Sequence, residues 1–364
     1  MRQGIAVDGW LFFAVAALLA VGITMVLSTS YLYAQERFSD GTYLFRKQLM
    51  AVGVGMAALI ISALVPSAAY RRLAYPLLAV SFLVLALVLI PGIGLSHGGA
   101  RRWLPLGGFT FQPAEFAKIS LVLYLALSLA KKGERIHIFA IGVLPHLIVG
   151  GLFLGLILME PDLGTALILG IVLFLMLFVG GAKFSHLLLT CLMALPILAL
   201  SVIGAEYRLR RFLTFLDPWR DASNSGFQII QSYIAFGSGQ LWGVGLGESR
   251  QKLFYLPEAH TDFIFSVIGE ELGLLGALTV LALFGVIVVR GFRLTLRIEE
   301  PFGQYLAFGL TTLLGLQALI HMGVVMGLMP TKGLVLPFIS YGGSAMVMSL
   351  VGAGILLSLS RRRI

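Results

Sequence analysis

Ten stretches of this sequence are apolar for long enough to cross a bilayer, which takes about 20 helical residues. They lie near residues 10–30, 47–65, 73–91, 112–130, 138–159, 163–181, 185–204, 263–289, 302–326 and 338–360. In hydrocarbon every backbone N–H and C=O must find a partner within the chain, and a helix meets that demand segment by segment. The sequence therefore predicts an all-α integral membrane protein of about ten transmembrane helices, with a large extracytoplasmic loop, about 205–262, between helices 7 and 8. Residues 1–364 read as one polytopic membrane domain, with no fixed-period repeat and no soluble domain. The first stretch begins where a signal peptide would. It is longer than an h-region of about 7–15 residues and lacks an A-x-A site, so it reads as a helix.

Composition narrows the function classes. Only 12% of the residues are charged, against about a quarter in soluble domains. A secreted disulfide scaffold, a disordered chain and a nucleic-acid-binding domain are excluded. The one cysteine, Cys191, can form neither an intrachain disulfide nor a CxxC metal site. The net charge of +9 resides in Lys and Arg between apolar segments, the pattern of membrane topology and anionic headgroups. With the N-terminus inside, short loops place 13 Lys and Arg on the cytoplasmic side and six outside, while the long loop holds six more. Long segments inform orientation poorly, so the short loops decide: both termini are expected in the cytoplasm.

The long loop carries amphipathic sequence, FLTFLDPW and then GFQIIQSYIAFGSGQLWGVG, which suits the membrane interface. Its glycines at 237, 239, 243, 245 and 247 permit tight turns and close backbone approach. A re-entrant packing element and a functional loop both fit that composition.

Ionisable groups at membrane depth are costly and are functional candidates by default. In GARRWLPLGGFTFQPAEFAKI (99–119), Pro113 suits the first turn of the fourth helix, and Glu115 and Lys118 share a face three residues apart. They are either an intrahelical ion pair or part of a site. Arg101 and Arg102 before Trp103 are either snorkelling anchors of an aromatic belt or a cationic pocket for a phosphate. In MEPDLGTA (159–166), Asp162 or Thr165 is placed to cap the sixth helix beside Glu160. In YLPEAHTDFIFSVIGEEL (255–272), Glu258, His260 and Asp262 crowd before the eighth span, where Thr261 or Asp262 is a natural N-cap. Glu270 and Glu271 then fall inside the membrane and need partners, with Lys118 and Lys332 as candidates. The His–x–Glu-type spacing is not that of a zinc site. Finally, MGLMPTKGLVLPFISYGGSAMV brackets Lys332 between two prolines at the outer surface, and SYGGS lets another helix approach closely.

Taken together, GARRW, FQPAEFAK, EPDLGTA, PEAHTDFIF and LPFISYGGS, in this order along ten spans with a large loop before the eighth, resemble the SEDS family (shape, elongation, division, sporulation). The resemblance covers essentially the whole chain. PTKG and SVIGEELG are most similar to the family's division branch; Ala345 departs from it, where that branch often has Ser. The resemblance implies a peptidoglycan glycosyltransferase that polymerises lipid II at the outer face of the cytoplasmic membrane, enriched at the division septum. It implies Asp262 as the catalytic carboxylate and Glu115 and Lys118 as its neighbours. Implied partners are lipid II, a class B penicillin-binding protein, other division proteins and membrane lipid, with no nucleic acid. A cofactor is not called for, and a divalent cation at the diphosphate is left open.

The chemistry agrees with that implication. A sugar hydroxyl of the acceptor attacks the donor's anomeric carbon and expels a lipid diphosphate. A diphosphate leaves without a proton, unlike the leaving group of a glycosidase, so one carboxylate base plus cations is a sufficient set. Asp262 is the base, Arg101, Arg102, Lys118 and Lys332 are phosphate candidates, and Glu258 and His260 are substrate contacts. A lipid II flippase and a non-catalytic division scaffold are the rivals. Against the flippase stands the lack of inverted repeats or paired broken helices.

Overall fold

The computed structural model describes residues 5–97, 100–107, 109–204, 206–224, 226–252, 256–331 and 333–363. Lys332 and Tyr255 lie outside the described residues. The helices are α1 (Gly9–Phe38), α2 (Tyr43–Leu64), α3 (Ser67–Leu89), α4 (Pro113–Lys132), α5 (Leu144–Met159), α6 (Leu163–Val179), α7 (Phe184–Ile203), α8 (Glu206–Leu216), α9 (Phe227–Gly239), α10 (Ile264–Glu271), α11 (Gly273–Arg297), α12 (Pro301–Val325) and α13 (Gly343–Leu359). Among the described residues, eight helical segments are long and apolar enough to cross a membrane, and α6 and α13 are shorter apolar helices. These ten correspond to the ten expected spans.

Two helices form the centre. In α4 and α12, 89% and 83% of the most apolar window is buried, whereas the other long spans are mostly exposed to their surroundings. An apolar face left outside is stable only in lipid. The central pair is flanked by α3 and α6, and α13 packs along α2. Pro113 opens α4 in its first turn, where its missing N–H has no helical partner to lose.

Both termini lie at one end of the bundle. Strands β1 (Ile5–Ala6) and β5 (Arg362–Arg363) pair antiparallel, Asp8 caps α1 at Leu11 N, and Arg290 near the end of α11 meets Asp8 at 2.6 Å. An even number of crossings requires this arrangement. At the other end, strands β2 (Leu95–His97), β3 (Ala100–Leu106) and β4 (Phe109–Phe111) make a small antiparallel sheet between α3 and α4. The sheet is a local addition to the expected all-α membrane bundle.

The eighth span requires correction. A single helix from 263 was expected, but the apolar run breaks at Leu272 into α10 and α11. The loop between helices seven and eight thus extends to residue 272 and contains α8, α9 and α10. The break has a physical cause. Val244 N and Gly245 N donate to Glu270 O and Glu271 O at 3.0 and 3.1 Å, and Leu274 N donates to Gln240 O at 2.9 Å. The incoming loop satisfies the backbone groups that a continuous helix would pair internally. Gly273, at φ +66, makes the turn that side chains resist, and a Cβ there would meet Gly243 N at 2.3 Å. Gly239 and Gly243 lie against the backbone of 269–273, the close approach that the sequence permitted.

Candidate functional site

Four sequence motifs converge at the end of the bundle opposite the termini. The turn bearing Asp262 is built by Glu258, whose carbonyl accepts from Thr261 N and Phe263 N at 3.1 and 3.2 Å and whose Oε2 accepts from Thr261 Oγ1 at 2.8 Å. Glu258 itself sits at φ 58, a conformation uncommon for a non-glycine residue. The LPFISYGGS segment clamps this turn. Ser340 Oγ donates to Thr261 O at 2.7 Å, and Tyr341 N donates to His260 O at 3.0 Å. The His260 ring lies between Tyr33 and Tyr341, with centroids 5.0 and 5.6 Å away. Burial pushes the imidazole below its ordinary pKa, against the opposing pull of Glu258. A neutral His260 is thereby favoured as a wedge between rings.

The N-cap reading of Asp262 is overturned. Phe263 occupies the cap of α10, with no side-chain cap hydrogen bond, and Thr261 bonds Glu258 instead. Asp262 is half-buried, and a Cβ placed on Gly333 would lie 3.2 Å from its Oδ2. Burial and the Glu258 carboxylate push its pKa up to about 7, while Arg211 and Arg102 pull the other way. A carboxyl that titrates near neutrality is suited to accept a proton.

The cations come from two elements. Side chains alternate along β3, so Arg101 is exposed while Arg102 is half-buried. Arg102 docks the sheet on the α5–α6 turn, its Nε to Glu160 O at 2.9 Å and its Nη2 to Pro161 O at 2.5 Å. The second is Arg211 on α8, a residue not singled out from the sequence. Its position in an amphipathic basic run, EYRLRR, was visible, but nothing local says that this run returns to Asp262.

On the α5–α6 turn, Asp162 caps α6, accepting from Thr165 N and Thr165 Oγ1 at 3.0 and 2.9 Å, as the capping alternative held. Glu160 is fully buried, and its carboxyl oxygens have no hydrogen-bond partner among the described residues. Burial, reinforced by Asp162, raises its pKa to about 9 against the pull of Arg102. Glu160 is therefore neutral at pH 7. Because the folded state holds that proton more tightly than the unfolded one, its contribution to stability falls as pH rises from about 4.5 to about 9. Glu160→Gln is expected to keep activity within about twofold and to flatten the alkaline loss of thermal stability, measured by melting from pH 6 to 9.

Glu115 and Lys118 come from the first turns of α4. They form a buried ion pair at 2.8 Å, and Lys118 Nζ also donates to Gln317 Oε1 at 2.9 Å. The pair lines an internal cavity between α4, α12 and α13, together with Leu314, Met348 and Ser349. Of the expected partners of Glu270 and Glu271, Lys118 is corrected, while Lys332 lies outside the described residues. Glu270 accepts from Ser249 Oγ and from Arg250 N, and Glu271 pairs with Lys252 at 3.0 Å and accepts from Ser28 at 2.7 Å. Both carboxylates pin the glycine-rich loop rather than reaching Lys118. Among the described residues, no three His, Cys, Asp or Glu side chains gather as metal ligands would.

Residues 9–364 match the FtsW/RodA/SpoVE family, described as cell cycle protein. The probable peptidoglycan glycosyltransferase FtsW of Geobacter metallireducens is 48% identical over 346 residues, 95% of this chain and 92% of that one. Stage V sporulation protein E of Bacillus subtilis is 41% identical, over 94% of each chain. Among solved structures, a chain of a peptidoglycan synthase complex coordinating polymerization and crosslinking superposes with a TM-score of 0.78 at 32% identity, covering 98% of both chains. The rod shape determining protein RodA of Thermus thermophilus gives 0.72 at 32% identity, covering 98% and 97%.

Proposed function

Since the chain belongs to the FtsW/RodA/SpoVE family of cell cycle proteins, we propose that Asp262 is the carboxylate with which it polymerises lipid II. The protein is an integral membrane peptidoglycan glycosyltransferase. The observation that carries the residue assignment is a half-buried carboxyl beside Gly333, its pKa pushed up to about 7 by burial and Glu258, within electrostatic reach of Arg211 and Arg102 from separate elements. Asp262 accepts the proton from the acceptor's sugar hydroxyl as that oxygen attacks the donor's anomeric carbon. Arg102, Arg211 and the exposed Arg101 face the departing diphosphate, whose charge grows in the transition state. Lys332 joins them on the strength of the family resemblance alone. Glu258 and His260 shape the turn. Without a covalent intermediate, the anomeric centre inverts.

Short-loop charge and the shared position of the termini support a cytoplasmic placement of both ends, with the site facing outward at headgroup depth. A polymerase needs an adjacent enzyme to cross-link its product. The structural relative that belongs to a synthase complex supports a class B penicillin-binding protein as partner, at the division septum.

Two measurements test this reading. Purified chain, with and without that transpeptidase, is expected to convert lipid II to glycan strands; translocation of lipid II without any polymer would return the chain to the flippase reading. The pH profile gives the second. Deprotonated Asp262 is the active form, so the turnover rate should rise with pH through about 7. A rate flat from pH 5 to 9 would remove Asp262 as base.

A further inference from the structure

Between the two acidic turns runs a strap, residues 333–336, that belongs to no helix or strand. At one end Gly333 lies against Asp262, where an added Cβ would be 3.2 Å from Oδ2. Next to it, buried Leu334 covers Gly164 beside Asp162, its Cδ2 2.9 Å from where a Cβ on Gly164 would stand. At the other end Leu336 N donates to Ser340 Oγ at 2.9 Å, the same hydroxyl that donates to Thr261 O. The strap thus meets the Asp262 carboxylate, the α5–α6 turn and, through Ser340, the carbonyl of Thr261.

Lacking a strand partner, it is held by side chains. His321 Nδ1 meets Leu334 O at 2.6 Å, and Gln317 Nε2 donates to Val335 O at 3.2 Å. These two residues are one turn apart on the same face of α12, and both are buried. A carbonyl only accepts, so Nδ1 carries the His321 proton. The Gln317 amide is oriented just as firmly. Lys118 is donor-only and occupies Oε1 at 2.9 Å, which leaves Nε2 for the strap. Through this contact the Glu115–Lys118 pair is linked to the strap that Gly333 brings against Asp262.

We propose that Gln317 and His321 are positioning residues for the reaction: from one face of α12 they hold strap 333–336 by two carbonyls, and the strap fixes where the Asp262 carboxylate stands. The inference rests on the reading of Asp262 as the essential carboxylate. Its magnitude follows from geometry, since a misplacement of about 1 Å can reduce a rate about 100-fold. The effect falls on turnover rather than on substrate binding, because neither side chain reaches the surface.

The test uses the purified full chain with lipid II. Gln317→Leu and His321→Leu are each expected to lower kcat about 10- to 100-fold, with KM within about twofold of the parent. His321→Asn should recover most of the loss, because an asparagine amide nitrogen can stand where Nδ1 stands. Amide exchange of residues 333–336 should speed up while that of α12 does not. In an Asp262→Asn background, Gln317→Leu should reduce the residual rate less than about twofold, since both changes act on one group. If Gln317→Leu fails to fold, the His321→Leu and His321→Asn pair decides alone. Wild-type kcat in the folded leucine variants, or the full multiplicative loss on top of Asp262→Asn, would overturn the inference while leaving Asp262 in place. A fully active Asp262→Asn would instead overturn the reading beneath it, and the inference with it.

Discussion

Lys118→Met is expected to destabilise the protein by about 3–5 kcal/mol, the effect of leaving one member of a buried ion pair uncompensated. Glu115 and Lys118 are almost fully buried, at 5% and 3% exposure, so water cannot solvate the carboxylate that remains. Adding Glu115→Gln should restore most of the stability, because no isolated charge is left inside the bundle. Thermal unfolding in detergent at constant pH measures all three proteins. Activity provides the contrast. The double variant still lacks the ammonium that orients the Gln317 amide, so its melting temperature should recover further than its polymerisation rate. A single variant as stable as the parent would show that the pair contributes little to holding α4 against α12.

How much of this was legible in the sequence depended on the range of the interactions involved. The spans were readable because hydrocarbon forces a long apolar run wherever a helix crosses, and α1, α4 and α12 fall where hydropathy places them. Local chemistry was readable for the same reason: Asp162 caps the helix that starts one residue later, and Lys118 meets Glu115 across one turn. The break at Gly273 was not readable. Residues 263–289 stay apolar across it, and the backbone groups that open the helix are paired by Gln240, Val244 and Gly245, more than 25 residues earlier. Likewise GARRW carried its arginines in plain view, but not the β-pairing of 100–103 with 95–97 that turns Arg102 inward and Arg101 outward. Arg211 and the strap at 333–336 belong to the same class. Each becomes part of the site only through chain segments distant in sequence.

The loss of the Asp262 cap sharpens the central experiment. The side chain makes no helix cap, so the structural consequence of Asp262→Asn is small: the shape is kept and a carboxyl reluctant to ionise is replaced by a neutral amide. The wild-type carboxyl holds its proton more tightly when folded, so its contribution to stability falls as pH rises from about 4 to about 7. The variant should therefore be at least as stable as the parent at pH 8. Only the ability to accept a proton is removed. The decisive measurement is the initial rate of glycan strand formation from purified lipid II by Asp262→Asn and parent chains, alongside their melting temperatures. The account predicts a loss of at least about 100-fold, the lower range for removing a general base, with an unchanged or higher melting temperature. A folded Asp262→Asn chain that makes glycan strands at the parent rate would contradict it.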